Sequence, residues 1–570
     1  MERDNERPPT ETPRWLLHVP SMTSVTWEEA LVQCEGSTPA YNVLSYTWGR
    51  FVTSGPALQV CNTTWTIPAI RKDHFGVTEF EKVLYSIASP QGYVWVDIAC
   101  IDQEDHRVKM DEIGKQADIF RGAKAAFIWL TRLDEATLRN AIACIENFED
   151  KIMATDMDRA SFSRNHQQVH SILDSSVQAC INAAEEVLFD PWFSSLWALQ
   201  EANLREDATI LARSGSQVAC GTTRRSSHDL DLSWISGTLQ GIMMGLINFR
   251  SPSEPVQRFI HLIERSGLLT INAYNEVPLH IYPAAHYRTC ENEPDRVYAI
   301  MQVYRLRLGS SKYPGKIFTL DQLELQLAKS LNALSPMAAQ LFIHQHRPKR
   351  GQAWKVTRRC TLPTIYYIAE CTSKQSAISS SSNDQGALFT GACSKLSQLI
   401  GFWTASMLQR ERQRTEERWS KYAASMFSHY QVNIDLDAGH AGDDAVLNFW
   451  RLANEPSKLC FCTWCQMHST RDSVSGLEML AQKLPEPVAR YYVLCLGRTT
   501  LYQWTPPSIK VNDVQAGLTV NAWLGMLGLM EQSESGPRFT RVGLCSWEAG
   551  QEDLKDQHET IWQHGSWELL

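Results

Sequence analysis

The sequence predicts an α/β fold built on a parallel, doubly wound sheet in the first two hundred or so residues. Strand-like apolar runs recur at 41–46, 93–98, 125–130 and 208–212. Patterns with helical spacing lie between these runs, the clearest being Phe80, Val83, Leu84 and Ile87. Alternating strands and helices favour parallel pairing, because a helical crossover returns the chain to the same end of the sheet.

Shorter signals predict further elements of this domain. Residues 15–19 read as a first short strand. Asp190 followed by Pro191 is typical of a helix start, with Asp as the N-cap and Pro at the first helical position. We expect this helix to run to about Leu204. Three tryptophans in apolar runs are expected to be buried: Trp95, Trp129 and Trp192.

The composition excludes several broad classes of protein. The formal net charge is −9, so no strongly basic domain marks the chain as a nucleic-acid-binding protein. The N-terminus lacks the apolar core of a signal peptide, and no run reaches the roughly 18 apolar residues of a membrane span. The 15 cysteines are scattered, as expected of small buried side chains in a reducing compartment. We therefore expect a cytoplasmic protein with no membrane span and no nucleic-acid partner.

Five segments are predicted along the chain. Residues 1–14 form a disordered polar lead, and residues 15–215 form the α/β domain. The segment 213–231, polar and rich in Gly, Ser and Thr, marks the end of that domain. Beyond it we expect a mostly helical C-terminal region with some β-structure, consisting of helices over 230–375, a linker or loop over 376–386 and a mixed α+β region over 387–570.

Three short segments carry a family resemblance. They are LSYTWGR at 44–50, WVDIACIDQ at 95–103 and WFSSLWALQE at 192–201. In this order they resemble the fungal heterokaryon-incompatibility (HET) domain family, over roughly residues 15–212. The later segment PDRVYAI at 294–300 resembles an element that often follows HET domains. The departures from the family pattern are mild: Leu196 replaces the usual Val, Ala198 the usual Thr, and Phe120 the usual Tyr.

HET domains are distantly similar to TIR domains, which implies a TIR/flavodoxin-like sheet with helices on both faces. In TIR enzymes that cleave NAD, the catalytic Glu lies four residues after a Trp, and Trp197 and Glu201 have this spacing. The resemblance implies a fungal innate-immunity protein that acts in self/non-self recognition and promotes regulated cell death. It further implies activation by self-association through the HET domain, with NAD as a substrate and no resident cofactor.

The residues around Glu201 bear on that catalytic role. Glu201 is the lone carboxylate on an apolar helical stripe formed with Phe193, Trp197 and Leu204. Such a carboxylate is costly unless it is paired or faces a cleft. Cleavage of the N-glycosidic bond of NAD builds positive charge on the ribose, which a fixed carboxylate stabilises. The alternative is a structural Glu201 that caps or pairs with a nearby Arg.

Substrate-binding residues are expected where the first strands of the sheet end, because ligands of open α/β sheets bind at the carboxyl edge. Gly49 would let the backbone approach a ligand, and Arg50 would hold a phosphate. The alternative is a tight turn with an exposed Arg. The residues predicted to bind the substrate are Ser45, Tyr46, Trp48, Gly49, Arg50, Asp97, Cys100, Asp102, Gln103 and Trp197.

Three other patterns suggest different chemistry. Four carboxylates follow the second strand: Asp97, Asp102, Glu104 and Asp105. They would suit Mg²⁺ and phosphoryl transfer, yet no phosphate-binding glycine loop accompanies them. Cys100 and His106 suggest a nucleophile pair, but no third orienting group is evident. Cysteines and a histidine at 460–468 crowd four zinc ligands into nine residues, against the usual spacing. We therefore predict no metal site.

Two functions from different classes remain. In the first, the HET domain is an NAD-cleaving enzyme. In the second, it is a non-enzymatic module that assembles with protein partners, while the C-terminal region senses or restrains. An open cleft where Glu201, Arg50 and Asp97 converge favours the enzyme. A Glu201 enclosed by a salt bridge favours the interaction module.

Overall fold

The computed structural model of the chain divides into two compact units. The N-terminal unit comprises residues 2–274 and 287–326, and the C-terminal unit comprises residues 275–286 and 327–570. The N-terminal unit therefore extends past the domain end predicted at 213–231. The structure describes residues 11–157, 166–221, 228–247, 254–268, 271, 281–361, 368–370, 376–381, 386–416, 432–437, 484, 486–503, 518–534, 536–548 and 560–570.

A six-stranded sheet organises the N-terminal unit. The strands of this unit are β1 (Trp15–His18), β2 (Thr23–Thr26), β3 (Tyr41–Ser45), β4 (Val52–Thr53), β5 (Ala69–Ile70), β6 (Tyr93–Trp95), β7 (Ala126–Trp129), β8 (Thr209–Leu211), β9 (Ala219–Cys220) and β10 (His228–Asp229). The sheet has the order β2-β1-β6-β3-β7-β8, and β6, β3, β7 and β8 run parallel. The predicted α/β class is confirmed, and Val43 of β3 lies opposite Trp95 of β6.

β1 and β2 add an antiparallel part to the predicted parallel sheet. β1 pairs antiparallel with both β2 and β6. A tight turn at Val19–Ser21 joins the two edge strands, and Met22 closes it in the left-handed conformation with φ 47°. A parallel connection needs a crossover of a dozen or more residues, so this short turn permits antiparallel pairing only. The sheet is therefore mixed.

Helices connect and follow these strands. They are α1 (Trp27–Gln33), α2 (Val77–Ile87), α3 (Asp97–Cys100), α4 (His106–Ile113), α5 (Gln116–Gly122), α6 (Glu135–Met157), α7 (His166–Leu188), α8 (Pro191–Ser194), α9 (Leu196–Leu204), α10 (Leu232–Ile247), α11 (Glu254–Ser266), α12 (Ile281–Ala284) of the C-terminal unit, α13 (Asp295–Met301) and α14 (Leu320–Leu334). Within the described ranges, no helix combines the length and the apolar character needed to cross a membrane.

The helix predicted from Asp190 to Leu204 has the expected start and an unexpected break. The Asp190 carboxylate accepts the backbone N–H of Trp192 at 2.9 Å, so it caps α8 as predicted. Ser195 is extended, with φ −82° and ψ 133°, and separates α8 from α9. The backbone N–H of Leu196 donates to the carbonyl of Thr289 at 3.0 Å. The break therefore comes from pairing with a distant part of the same unit.

The core of the N-terminal unit fixes the ends of its central strands. Every residue of β3 and β6 is buried. Trp95, Trp129 and Trp192 are 1%, 0% and 0% exposed, which confirms the prediction that they are buried. The Trp129 ring stacks on Phe80 of α2, with centroids 5.8 Å apart. Packing of this kind holds the chain rigidly where it leaves the sheet.

The C-terminal unit contains more β-structure than predicted. Besides α12, its helices are α15 (Pro336–Ala339) and α16 (Leu396–Glu416), and its strands are β11 (Ile343–His344), β12 (Cys360–Thr361), β13 (Ile368–Glu370), β14 (Ala377–Ser380), β15 (Ala387–Lys395), β16 (Val432–Leu436), β17 (Tyr491–Gln503), β18 (Leu518–Ser533), β19 (Gly536–Glu548) and β20 (Gln563–Leu569). The pairings β15–β17, β17–β18, β18–β19, β19–β20 and β20–β15 close five strands into a ring.

The predicted linker over 376–386 is in part a strand. Ala377–Ser380 pairs antiparallel with β15, and Ile378 is buried while its neighbours Ala377 and Ser379 are exposed. This alternation is the period of a half-buried strand, which the serine-rich composition conceals. Residues 382–385 lie outside the described residues.

Candidate functional site

The carboxyl ends of β3 and β6 open onto a cavity of about 760 Å³ within the N-terminal unit. Because these strands are parallel neighbours, the segments that follow them emerge side by side. Helix α9 adds Trp197 and Glu201. The predicted site residues that line the cavity are Tyr46, Trp48, Gly49, Arg50, Asp97, Gln103, Trp197 and Glu201.

Glu201 is partly exposed at this cavity, and its hydrogen-bond partner is a hydroxyl group. Ser45, at the end of β3, donates its hydroxyl to Oε2 of Glu201. The indole N–H of Trp192 donates to the same Ser45 oxygen at 2.7 Å. Trp192 is fully buried, so this chain of two bonds fixes the carboxylate from behind. Ser45 itself lies behind the cavity wall and does not line it.

The electrostatic surroundings of Glu201 favour its neutral form. Burial raises the pKa of Glu201 to about 8, the Ser45 hydrogen bond opposes this rise, and the nearby charge of Asp97 adds to it. Among the described residues, no ion pair with Glu201 is found, and its partner is the neutral Ser45. A cationic group entering the cavity would therefore gain from the ionised carboxylate.

Asp97 lies at the start of α3 and not at the end of a strand, because β6 stops at Trp95. Its Oδ1 accepts the backbone N–H of Ile98 at 2.8 Å, which favours a helical turn at this point. The indole N–H of Trp48 donates to its Oδ2 at 2.6 Å. Burial raises the pKa of Asp97, and the hydrogen bond from Trp48 opposes the rise. Both carboxylate oxygens are thus held by the protein.

Tyr46 and Gln103 form further parts of the wall. The Tyr46 ring is buried against Phe80, with centroids 5.1 Å apart, and burial together with the charge of Asp97 raises the pKa of its phenol well above the ordinary value. Tyr46 is therefore neutral at any physiological pH. The amide of Gln103 donates to the backbone carbonyl of Asp97 at 3.2 Å, which anchors the loop after α3.

Arg50 holds protein segments together at the rim. Its guanidinium donates to the carbonyl of Pro191 at 2.7 Å and to the hydroxyl groups of Ser194 at 2.8 Å and Thr289 at 3.1 Å. These bonds occupy both terminal nitrogens, so the phosphate role predicted for Arg50 competes with a structural one. A Cβ at Gly49 would meet the Glu291 carboxylate at an ordinary 3.7 Å, so no neighbouring protein group requires glycine here.

Cys100 and Asp102 do not line the cavity. Cys100 is fully buried, its thiol hydrogen-bonds the carbonyl of Val94, and burial raises its pKa, which rules against a thiolate nucleophile paired with His106. Asp102 accepts the backbone N–H groups of Glu104 at 2.9 Å and Asp105 at 3.0 Å, so it stabilises the turn before α4.

The structure describes the carboxylates that were considered for Mg²⁺ but not the residues that were considered for zinc. Asp105 caps α4 through the backbone N–H of Arg107 at 2.8 Å, and Glu104 accepts the backbone N–H of Thr66 at 3.0 Å. These carboxylates therefore bond to backbone amides and do not converge. In the described parts of the chain, no group of three His, Cys, Asp or Glu side chains has metal-binding geometry. The pattern at 460–468 lies outside those parts.

One wall of the cavity comes from a segment that the site prediction missed. Thr289, Cys290, Glu291, Asn292, Pro294, Asp295 and Tyr298 line it, with Ser310, Ile317 and Phe318 further along. The sequence did contain a signal for this segment. The PDRVYAI element at 294–300 belongs to the family resemblance, and it includes the carboxylate of Asp295. His106 and Lys109 of α4 also line the cavity. The sequence suggested His106 only as a partner of Cys100, and no sequence signal distinguished Lys109.

A buried glutamine network fixes α9, which carries Glu201. The side-chain amide of Gln200 donates to Gln116 of α5 at 2.5 Å. The Gln200 carbonyl oxygen accepts the backbone N–H of Gln302, just after α13, at 3.1 Å. All three glutamines are buried. Buried amides with satisfied hydrogen bonds hold helices in one register, so α13 is an integral part of the site.

The geometry describes an α/β domain with a cavity at the carboxyl edge of its sheet, lined by carboxylates and indoles. Residues 41–201 match the family model described as Heterokaryon incompatibility protein (HET), and this part of the chain is a HET domain. The HET domain indicates a heterokaryon-incompatibility-type protein. Neither the curated proteins nor the solved structures compared with the chain include a match.

Proposed function

We propose that the HET domain hydrolyses NAD in this cavity and that the reaction promotes regulated cell death. The observation that carries the proposal is a partly exposed Glu201 at an open cavity, held by the hydroxyl of Ser45 and by no cation among the described residues. A cavity of about 760 Å³ lies within the usual range of small-molecule sites, about 300–1,000 Å³. The distant likeness to NAD-cleaving TIR enzymes, with the Trp197-to-Glu201 spacing, supports the same reaction.

In the proposed reaction, water replaces nicotinamide at C1′ of the ribose. The C–N glycosidic bond breaks with its electron pair going to the ring nitrogen, so nicotinamide leaves as a neutral molecule. The water oxygen forms the new bond to C1′ and releases one proton to solvent, which leaves ADP-ribose as the second product. Positive charge develops on the ribose in the transition state, and the Glu201 carboxylate stabilises that charge.

The ionisation of Glu201 fits this role when substrate is bound. In the empty cavity its pKa is raised to about 8, so a proton is largely retained at neutral pH. The nicotinamide ring of NAD carries a positive charge, and a positive charge close to a carboxyl group favours its ionised form. Binding of the cationic ring therefore ionises the carboxylate that the reaction needs, at the moment the reaction needs it.

Glu201→Gln tests the proposal, because it keeps the shape of the side chain and removes its charge. We expect nicotinamide release from NAD⁺ by the purified full chain to fall about 10²- to 10³-fold. Glu186→Gln is the matched control, since Glu186 is exposed on α7 outside the cavity, and it should retain full activity. Specific activity that rises with protein concentration would support activation by self-association.

The outcomes separate the enzyme from the interaction module. Toxicity on overexpression should fall together with nicotinamide release in Glu201→Gln. Toxic wild-type protein that releases no nicotinamide would exclude the enzyme and leave a module that assembles with partners. Equal NAD cleavage by the wild type and Glu201→Gln would remove Glu201 from the mechanism.

A further inference from the structure

Asp295 lines the cavity and lies in a part of the chain that the family model does not reach. It is the first residue of α13, follows Pro294, and is partly exposed. Helix α13 packs against α9, the helix that carries Trp197 and Glu201. The backbone N–H of Gln302 bonds to Gln200 of α9, so the position of Asp295 relative to Glu201 is fixed.

The carboxylate of Asp295 is held more loosely than that of Asp97, which lines the same cavity. The Asn292 amide donates to Oδ2 of Asp295 at 3.4 Å, near the limit of a hydrogen bond. The Asp295 carboxylate has one further hydrogen bond, with Trp197. Asp97 instead receives bonds of 2.6 and 2.8 Å on its two oxygens. An ionised carboxylate offers about four acceptor sites, so Asp295 retains capacity for donors of a ligand.

The positive charge of Lys109 favours the ionised form of Asp295. Burial raises the pKa of Asp295, while hydrogen bonds from Asn292 and Trp197 and the charge of Lys109 oppose the rise. Lys109 also lowers the pKa of Asp97, so this one cation faces two carboxylates of the cavity. Glu201 lacks this support, and the Asp97 charge raises its pKa further. Asp295 and Glu201 therefore differ in the charges that surround them, and we expect them to contact different parts of a ligand.

We infer that Asp295 accepts hydrogen bonds from the hydroxyl groups of the ribose whose glycosidic bond Glu201 helps to break. The 2′- and 3′-hydroxyl groups of a ribose are adjacent donors, and a carboxylate with free acceptor sites can receive both. Carboxylates recognise ribose hydroxyls in the same way in other nucleotide-binding sheets. This inference rests on the proposed function and names the group that orients its substrate.

The experiment measures binding without turnover. In full-length Glu201→Gln, isothermal titration calorimetry would give the Kd for NAD⁺ and for analogues whose nicotinamide ribose lacks the 2′- or the 3′-hydroxyl. We expect at least one analogue to bind about 10- to 100-fold more weakly than NAD⁺, the usual effect of a lost bond to a charged group. Adding Asp295→Asn should weaken NAD⁺ binding by a similar factor and abolish the difference between NAD⁺ and that analogue.

A merely structural Asp295 would not produce this coupling between a residue and a substrate hydroxyl. Asp321→Asn is the matched control, because Asp321 is exposed at the start of α14 and does not line the cavity; this variant should keep the full discrimination. The analogue comparison in Glu201→Gln requires no change at Asp295, so it stands even where Asp295→Asn does not fold.

Three outcomes overturn the inference. Equal binding of NAD⁺ and both analogues by Glu201→Gln would show that the hydroxyls are not recognised. Equal discrimination with and without Asp295→Asn would mean that other residues recognise the ribose hydroxyls. In either of these two cases, NAD cleavage by the wild type would leave the proposed function standing. Absence of both NAD⁺ binding and nicotinamide release would overturn the inference and the proposed function together.

Discussion

A buried ion pair of the C-terminal unit and a carboxylate of the N-terminal unit differ in how the protein compensates their charge. In the C-terminal unit, Arg541 of β19 and Asp437 are both 0% exposed and bond at 2.7 and 2.9 Å. Asp437 also accepts the backbone N–H of His344 at 2.8 Å, and Arg541 donates to the carbonyl of Phe342. In the N-terminal unit, Glu201 faces a cavity and has the Ser45 hydroxyl as its partner.

This difference separates a structural charge from a candidate functional one. The Arg541–Asp437 pair compensates each charge within the fold, so little electrostatic free energy remains for a ligand. Burial disfavours the ionised form of Glu201, and this raises its pKa to about 8. Such a group gains from a cation that arrives from outside. A perturbed carboxylate next to a cavity is therefore the better guide to function.

The largest expected effect comes from breaking the compensated pair. Asp437→Asn should cost the C-terminal unit about 3–5 kcal/mol, because Arg541 would remain buried without an opposite charge. Glu531→Gln is the control, since its partner Arg350 is 74% exposed, and it should cost about 0–1 kcal/mol. Urea unfolding together with hydrogen exchange of the β19 amides measures both. A loss under about 1 kcal/mol for Asp437→Asn would mean that the pair is dispensable.

A smaller effect is expected from the pH dependence of stability. The pKa of Glu201 rises from an ordinary 4.5 to about 8 on folding, so the folded state retains a proton that the unfolded chain loses. This group therefore lowers the free energy of unfolding as the pH rises from 4.5 to about 8. We expect Glu201→Gln to be more stable than the wild type at pH 9, by about 2 kcal/mol once solvent access to the cavity is considered, and equal to it at pH 4.

Thermal and urea unfolding at several pH values would measure this difference. Glu186→Gln, at an exposed position, should follow the wild type throughout. A Glu201→Gln protein that is less stable than the wild type at every pH would instead identify Glu201 as a structural hydrogen-bonding partner.

The smallest expected effect comes from Ser45→Ala. The Ser45 hydrogen bond lowers the pKa of Glu201, so its loss should raise that pKa and shift the pH dependence of NAD cleavage to higher pH. A shift of one pH unit would reduce the rate at neutral pH by about tenfold, with recovery at alkaline pH. Ser86→Ala is the control, because Ser86 bonds to the carbonyl of Val83 within α2. An equal loss of rate at every pH would indicate disturbed packing around Trp192.

Much of the N-terminal fold could be predicted from local patterns. The apolar runs predicted strands where β1, β3, β6, β7 and β8 lie. Asp190 was recognised as a cap, because a short acidic side chain before Pro is a signal contained within two residues. The placement of Trp48 and Asp97 at one edge of the sheet follows from the same pattern, since parallel strands end at the same edge.

Residue type and position in a motif do not show which partners a side chain has. Cys100 and Asp102 stand in the same motif as Asp97, yet one side chain points into the core and the other bonds to backbone amides. Periodicity over a few residues does not reveal this, because β6 ends at Trp95 and α3 turns the chain immediately afterwards. The serine-rich segment that contains β14 was misjudged for a related reason, since its pairing with β15 buries Ile378.

The sequence by itself determined the positions of the strands and the cap at Asp190, because each depends on residues close together in the chain. The tertiary structure decided which side chains meet. Ser45 bonds to Glu201 across 156 positions, and Arg50 bonds to Thr289 across 239. The break at Ser195, the wall that includes Asp295 and the closed ring of five strands likewise depend on pairing between distant segments. Such contacts form only when the whole unit packs, since the entropy lost in closing long loops is recovered from the packed core and not from any local pattern.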